Sequence, residues 1–411
     1  MGSRLVSLPA LAAALLGVVS VLAACGSDGS QQPLNLSGGV PVGAVLALTS
    51  NANAYGQDQQ IGLDLAQRWF NGPGLGGQAG GIGGKPVRLR IEDGGGDEQG
   101  ASQAFNLLID AGVVALIGPT LSQQAFAADP IAQRRGVPVV APSNTAVGIP
   151  QIGSFISRVS ASSAVIAPLS IAKALELNPG ISRAAVFYAQ DDAYSTSETT
   201  IFQKALTTKG LKPVTVQRTQ LNDQDFQNQI TAALRLHPDL IVISAQAVDG
   251  GNLIRQLREL GYKGAIVVGN GMNTPNIYPI CQASCDGILI AQAYSPELAT
   301  PINQTFLKLY KQAKGGAIPP QLTAQAFTAF QVVAEALERL NRRQPLGALK
   351  LAEARTALMA ELLGGRYDTP LGEISFTPDG EVVQKNFYVA QVRMQPDGRS
   401  GRFALLNGSP P

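Results

Sequence analysis

From residue 42 to residue 268, short apolar runs alternate with longer segments in which apolar residues recur every three or four positions. Residues 42–48, 113–117 and 137–140 are nearly unbroken apolar runs, as expected for strands covered on both faces. Ile61, Leu65 and Trp69 stand four apart, which predicts a helix over 56–71 with Trp69 in a core. Val87, Leu89 and Ile91 alternate with Arg88 and Arg90, the pattern of a strand with one polar face. Helices over 98–111 and 123–135 complete a first β-α-β-α series. The pattern then restarts, with helices over 165–177, 195–209, 225–235 and 250–260 and strands over 184–188, 214–218, 240–244 and 265–268. Such repetition predicts parallel sheets with helices on both faces. Two consecutive series of similar size predict two similar lobes. Helices over 301–314, 324–342 and 349–363 follow, then strands near Ile374 and over 387–392.

The chain has 411 residues, too many for one ordinary core. Its first segment is different in kind. Arg4 precedes an uncharged apolar stretch over 5–21, which ends in Leu22-Ala23-Ala24-Cys25. A short apolar run closed by small residues predicts a signal peptide over 1–24 rather than a retained span. The ending also resembles the bacterial lipobox, which implies a lipidated Cys25 and a place in the periplasm or on the outer face of the cell membrane. Gly, Ser, Gln and Asn dominate the next stretch, so 25–40 is expected to be a flexible tether. The folded part divides into a first lobe, 41–158 with 293–372, and a second, 159–292 with 373–411.

Basic and acidic residues nearly cancel, 31 against 29, and no basic cluster is interleaved with aromatics. Nucleic acid is therefore excluded as an expected partner. Cys281 and Cys285 lie close in sequence, and in an exported chain that favours a local disulfide over free thiols. The single histidine, His237, is remote from them and precedes Pro238, so neither a metal site nor a Ser-His-Asp triad is expected. Gly84-Lys85 ends a stretch of seven glycines over 74–84, but Pro86 stands where a phosphate loop needs Ser or Thr. Ser170-Ile171-Ala172-Lys173 fits an S-x-x-K pattern without its partner motifs. No cofactor is expected, and the chain reads as a binder rather than an enzyme.

Ligands of open α/β sheets sit beyond the carboxyl ends of the strands. The loops at those ends, around 49–56, 118–122, 141–145, 191–194, 246–249 and 269–271, are rich in hydroxyls and amides. Helices start just after them. Free N–H groups at helix starts, together with hydroxyls, receive carboxylates well, and the same residues also serve as plain caps.

In these loops the chain resembles the leucine/isoleucine/valine-binding proteins, the type I periplasmic solute-binding proteins of ABC importers. The markers occur in order: 80–87, then Ile91-Glu92-Asp93, Gly118-Pro119 with Ser122, Gly136-Val137-Pro138, Ala141-Pro142-Ser143-Asn144-Thr145, and later Tyr194. The resemblance spans about 42–392. It implies two Rossmann-like lobes joined by a three-stranded hinge, closing on a small ligand. It also implies a monomer that serves a permease and its ATPase. Ser122 and Thr145 would grip a ligand carboxylate, the carbonyl of Asn144 would accept from its ammonium, and Tyr55 and Tyr194 would line or close the pocket.

One departure stands out. Amino-acid binders of the family often carry an acid after the strand that here ends at Val268, and this chain has Gly269-Asn270-Gly271-Met272. A buried ammonium without a counter-charge is costly. Either Asp192 or Asp249 replaces the acid, or the ligand lacks an α-ammonium. The expected function is capture of an amino acid or related small polar solute for import. The alternative is a ligand sensor or envelope scaffold of the same fold, with an amide, urea or carboxylate ligand or none.

Overall fold

The computed structural model describes Gly2 and residues 32–72 and 80–406. The expected signal segment, Cys25 and most of the glycine stretch before Gly80 lie outside the described residues.

Five parallel strands form the first sheet, in the order β2-β1-β3-β4-β5. They are β1 (Val40–Leu46), β2 (Val87–Asp93), β3 (Ala115–Ile117), β4 (Val139–Ala141) and β5 (Ile156–Arg158), connected through α1 (Asn53–Asn71), α2 (Glu98–Asp110) and α3 (Ser122–Arg134). β3 and β4 are wholly buried, which explains their unbroken apolar sequences. β2 is the edge strand and exposes Arg88 and Arg90. α2 and α3 cover one face, burying Phe105, Leu108 and Ala128. α1 covers the other, and Trp69 is buried there against Phe327, ring centroids 5.5 Å apart.

The second sheet has seven strands, in the order β15-β14-β10-β9-β8-β6-β7. Its parallel part comprises β6 (Ala184–Ala189), β7 (Thr215–Thr219), β8 (Leu240–Ser244), β9 (Ala265–Val268) and β10 (Leu289–Gln292). The helices between are α4 (Ser163–Leu177), α5 (Ala193–Thr208), α6 (Gln227–Leu234), α7 (Ala247–Glu259) and the short α8 (Tyr278–Cys281). Cys281 and Cys285 are fully buried and joined as a disulfide, with Cα atoms 5.4 Å apart.

After β10 the chain returns to the first lobe. α9 (Pro301–Ala313), α10 (Gln321–Arg343) and α11 (Leu351–Gly364) pack there, α10 lying along α1. A small antiparallel sheet of β11 (Arg366–Thr369), β12 (Gly372–Phe376) and β13 (Val382–Gln384) follows. The chain crosses back once more into β14 (Tyr388–Met394) and β15 (Gly401–Leu405), which extend the second sheet antiparallel to β10. It thus passes between the lobes three times.

Two expected boundaries are corrected. The tether proposed for 25–40 is packed from Gln32 onward: Leu34 is buried, its N–H donates to the carbonyl of Leu349, and Val40 already belongs to β1. The lobe boundary placed after 372 falls inside β12, whose Ile374 and Phe376 join the first lobe's core beside Tyr367. Gly372, Ile374 and Phe376, on alternate residues of β12, are buried on that side.

Among the described residues, no helix is long and apolar enough to cross a membrane. No cluster of His, Cys, Asp or Glu among them is arranged to hold a metal ion.

Candidate functional site

The loops at the carboxyl ends of both sheets face one another across a cleft. They enclose a cavity of about 440 Å³, its mouth included, lined by twelve residues that include Ser122, Thr145, Tyr55, Asp192, Tyr194 and Leu322.

The first-lobe wall is a network of short polar side chains. Thr120 Oγ1 accepts from the N–H of Ala47 at 3.0 Å and donates to Gln59 Oε1 at 2.6 Å. Gln59 Nε2 donates to Ser143 Oγ at 2.7 Å, and that hydroxyl donates to the carbonyl of Thr120 at 2.6 Å. Three strand-end loops are thereby locked together, because each buried polar group needs a partner. α3 starts at Ser122, and its first N–H groups have no partner within the helix. Ser122 Oγ accepts from the N–H of Ala146 at 3.3 Å, which brings the loop carrying Thr145 beside this helix start. Hydroxyls and a helix N-terminus, with no cation among the described lining residues, have the chemistry to receive a carboxylate.

The second-lobe wall carries the negative charge. Asp192 caps α5 with Oδ2, which accepts from the N–H and Oγ of Ser195 at 3.1 and 2.6 Å. Its Oδ1 is buried with no partner at hydrogen-bonding geometry among the described residues. Burial raises its pKa, and donors on Ser195, with the Tyr194 backbone and the Gln246 side chain nearby, hold it partly down. Asp192 is 1% exposed and lines the cavity, so a cationic ligand group would complete its coordination.

Tyr55 closes the cleft. It sits in α1 of the first lobe, and its Oη donates to the carbonyl of Gly271 at 2.5 Å and accepts from the N–H of Ala247 at 2.6 Å. Val147 N–H also donates to Ser197 Oγ across the lobes at 2.9 Å. Tyr55, Leu121 and Leu322 continue the second lobe's apolar core through the cleft. The lobes are closed on each other. α1 comes close enough for this only through Gly56, where a Cβ would collide with the carbonyl of Ala47.

Of the residues expected to bind ligand, Ser122, Thr145, Tyr55, Tyr194 and Asp192 meet in this cavity, and Asn144 and Asp249 do not. The carbonyl of Asn144 already accepts from Arg158 Nη1 at 3.0 Å and Ser160 Oγ at 2.7 Å. Both of its lone pairs are engaged, so it holds the loop rather than an ammonium. Asn144 Nδ2 points inward as well, donating to the carbonyls of Pro119 and Thr120. Asp249 lies in the first turn of α7 and accepts from the N–H of Asn222 at 3.2 Å, outside the lining. Burial pushes its pKa up to about 6, with the charges of Asp192, Asp223 and Asp191 adding to the rise.

Two participants are not evident from loop positions. Leu322 arrives from the start of α10. Glu198 lies one layer behind the lining, four residues after Tyr194 on the buried stripe Tyr194, Glu198, Phe202 and Leu206 of α5. An acid on an otherwise apolar helical stripe was the available signal.

Comparison with known proteins agrees with this architecture. A model of the periplasmic binding protein family matches residues 39–399. The Leu/Ile/Val-binding protein homolog 3 of Brucella melitensis is 22% identical over 85% of this chain and 90% of its own length. The leucine-, isoleucine-, valine-, threonine-, and alanine-binding protein of Pseudomonas aeruginosa is 23% identical over 83% of this chain and 87% of its own. Among solved structures, a leucine binding protein from Thermotoga maritima superposes with a TM-score of 0.77 at 26% identity, covering 90% of this chain and 99% of that one. A solute binding protein from R. palustris in complex with benzoate gives 0.76 at 20% identity, covering 90% and 96%. With two doubly wound lobes, three crossings and a polar cleft between them, this chain belongs to the periplasmic binding protein family and has its type I fold.

Proposed function

We propose that this protein is the extracytoplasmic receptor of an ABC importer and that its ligand is an α-amino acid. The observation that carries this reading is the polarity of the cavity. Hydroxyls and a helix N-terminus on the first lobe face the Asp192 carboxylate on the second, whose Oδ2 is held by Ser195 and whose buried Oδ1 has no partner at hydrogen-bonding geometry among the described residues. A zwitterion satisfies both walls at once, its carboxylate near Ser122 and Thr145 and its ammonium near Asp192. Tyr55, Leu121 and Leu322 leave an apolar margin for an aliphatic side chain. The relatives named for leucine, isoleucine and valine support the same class. Cys25, lipidated after removal of 1–24, would hold the receptor beside its permease and ATPase.

Isothermal titration of the mature protein with the standard amino acids tests the reading. Saturation with a bound amino acid at a hundred times its Kd adds roughly 2.7 kcal/mol to unfolding. Absence of heat and of thermal stabilisation with every amino acid overturns it. A second reading, an aromatic or aliphatic carboxylate as ligand, is favoured by the missing acid at 269–271 and by the benzoate complex of the R. palustris protein. Benzoate therefore belongs in the titration. Mass spectrometry of the membrane fraction tests the anchor, and an unmodified Cys25 in the mature chain would refute it.

A further inference from the structure

The corner of the cleft after β9 contains no acid in its own loop, yet a carboxylate occupies it. Glu198 reaches there from α5 and is 1% exposed. Its Oε2 accepts from Tyr194 Oη at 2.6 Å and Ser244 Oγ at 3.0 Å, and its Oε1 accepts from the N–H of Asn270 at 3.0 Å. Tyr194 Oη in turn accepts from the N–H of Gly271 at 2.6 Å. A Cβ built on Gly269 would collide with Glu198 Oε2 and lie 2.6 Å from Tyr194 Oη. The space that a side chain at 269 would enter is thus filled by the carboxylate of Glu198. Gly269 has φ −82° and ψ 174°, an extended backbone open to any residue, so it is the Glu198 carboxylate and the tip of Tyr194, rather than the turn, that require glycine.

Of the groups that hold Glu198, Tyr194 and Asn270 line the cavity, as does Gly271, which donates to Tyr194. Among the described residues no cation contributes to its surroundings, where the neighbouring charge is Asp192. Three donors offset only part of the cost of burying a carboxylate, and burial pushes its pKa up to about 7. The corner therefore lacks one positive charge.

We propose that Glu198 takes over, from a helix, the charge that the loop after β9 lacks, and thereby makes the site select a ligand with a protonated amine over the same ligand without one. It acts from behind Tyr194 and the 270–271 backbone and does not touch the ligand, so it is a positioning and specificity residue. Asp192 supplies the direct contact, and Glu198 supplies the field that keeps a cation favourable in a buried corner. The proposal rests on the amino-acid reading above.

The test compares L-leucine with 4-methylpentanoate, the same skeleton without the amine, by titration calorimetry on the mature protein. Glu198→Gln should weaken leucine at least tenfold and change 4-methylpentanoate less than threefold. Equal weakening of both would make Glu198 a structural prop and overturn the proposal, as would unchanged leucine affinity. A second variant, Glu198→Ala with Gly269→Asp, moves the acid from the helix to the loop. It should bring the leucine-to-methylpentanoate ratio, lost in Glu198→Ala alone, back to within threefold of the wild type; failure to restore it overturns the proposal. Wild-type protein that binds neither leucine nor any other amino acid overturns the underlying reading instead.

Discussion

Tyr55 and Gly271 belong to opposite lobes, and the Tyr55 hydroxyl bridges them by donating to the Gly271 carbonyl at 2.5 Å while accepting from the Ala247 N–H. Ala247 begins α7 and Gly271 follows β9, so one first-lobe side chain ties two strand-end loops of the second lobe. These bonds exist only when the cleft is shut. Opening the cleft would leave the same groups to solvent.

Tyr55→Phe should therefore act on closure rather than on folding. In the closed form it strands a buried N–H and a carbonyl, each costing about 1–3 kcal/mol. Ligand affinity should fall roughly tenfold to a hundredfold, while the melting temperature of the ligand-free protein moves little. Calorimetric titration with the preferred amino acid, set beside thermal unfolding without ligand, separates the two. An equal loss in both would mean that Tyr55 is simply part of the core.

Ser122 and Thr145 are expected to be the carboxylate anchors. Loss of a hydrogen bond to a charged group costs about 1.5–3 kcal/mol, so Thr145→Ala should weaken binding by roughly ten- to a hundredfold. Ser122→Ala should do less, because the backbone N–H at the start of α3 still donates. Its hydroxyl also accepts from Ala146, so a small loss of stability should accompany it. Binding like wild type in both variants would place the carboxylate elsewhere.

Much of this arrangement is legible in the sequence, and the exceptions have physical causes. β8 and β9 fall at the residues where short, nearly unbroken apolar runs place them, since a central parallel strand is apolar on both faces. β5 and β10 are not apparent. Each is only three or four residues long, too short for a periodic signal, and β10 also pairs with β14 from the far end of the chain. Ser122, Thr145 and Asp192 are legible as cleft residues because hydroxyls and acids at strand-to-helix turns serve either as caps or as ligand groups, and Asp192 both caps α5 and lines the cavity. Asn144 misleads for the same reason: its carbonyl is indeed directed, but toward Arg158. Glu198 escapes notice because an acid inside a helix reads as solvent-facing, although Tyr194, Phe202 and Leu206 on the same stripe mark that face as buried.

Arg158 is fully buried and forms a two-point ion pair with Glu381, at 2.8 Å from Nε and 2.6 Å from Nη2. The same guanidinium donates to the carbonyls of Asn144 and Ala146, on either side of Thr145. Glu381→Ala leaves this buried charge without its partner. Such losses cost about 3–5 kcal/mol, and the Glu381 side chain, 23% exposed, puts this one near the lower end. Denaturant unfolding should show that loss, and ligand affinity should fall with it because the Thr145 loop loses its brace. Unchanged affinity at full stability loss would detach the ion pair from the site.

Glu198 also predicts a pH dependence of stability. Its folded pKa is raised to about 7 by burial, against about 4.3 for an unfolded glutamate. Below pH 4 both states hold the proton, and the folded protein carries no charge penalty at this site. As pH rises from about 4.3 to 7, the unfolded chain releases its proton first, and folding stability declines by an amount on the order of 3 kcal/mol. Above pH 7 the loss is complete. Asp58 and Asp249, each pushed up to about 6, act in the same direction over a narrower window. A difference measurement isolates Glu198. In the ligand-free protein, the stability of Glu198→Gln relative to wild type should increase between pH 5 and pH 7.5, because the variant cannot acquire the buried charge. The amide's poorer fit to Tyr194 and Ser244 offsets the whole curve without tilting it. Denaturant unfolding of both proteins at half-unit pH steps gives the curve, and a flat difference across that range would show that Glu198 ionises in the folded protein as readily as in water.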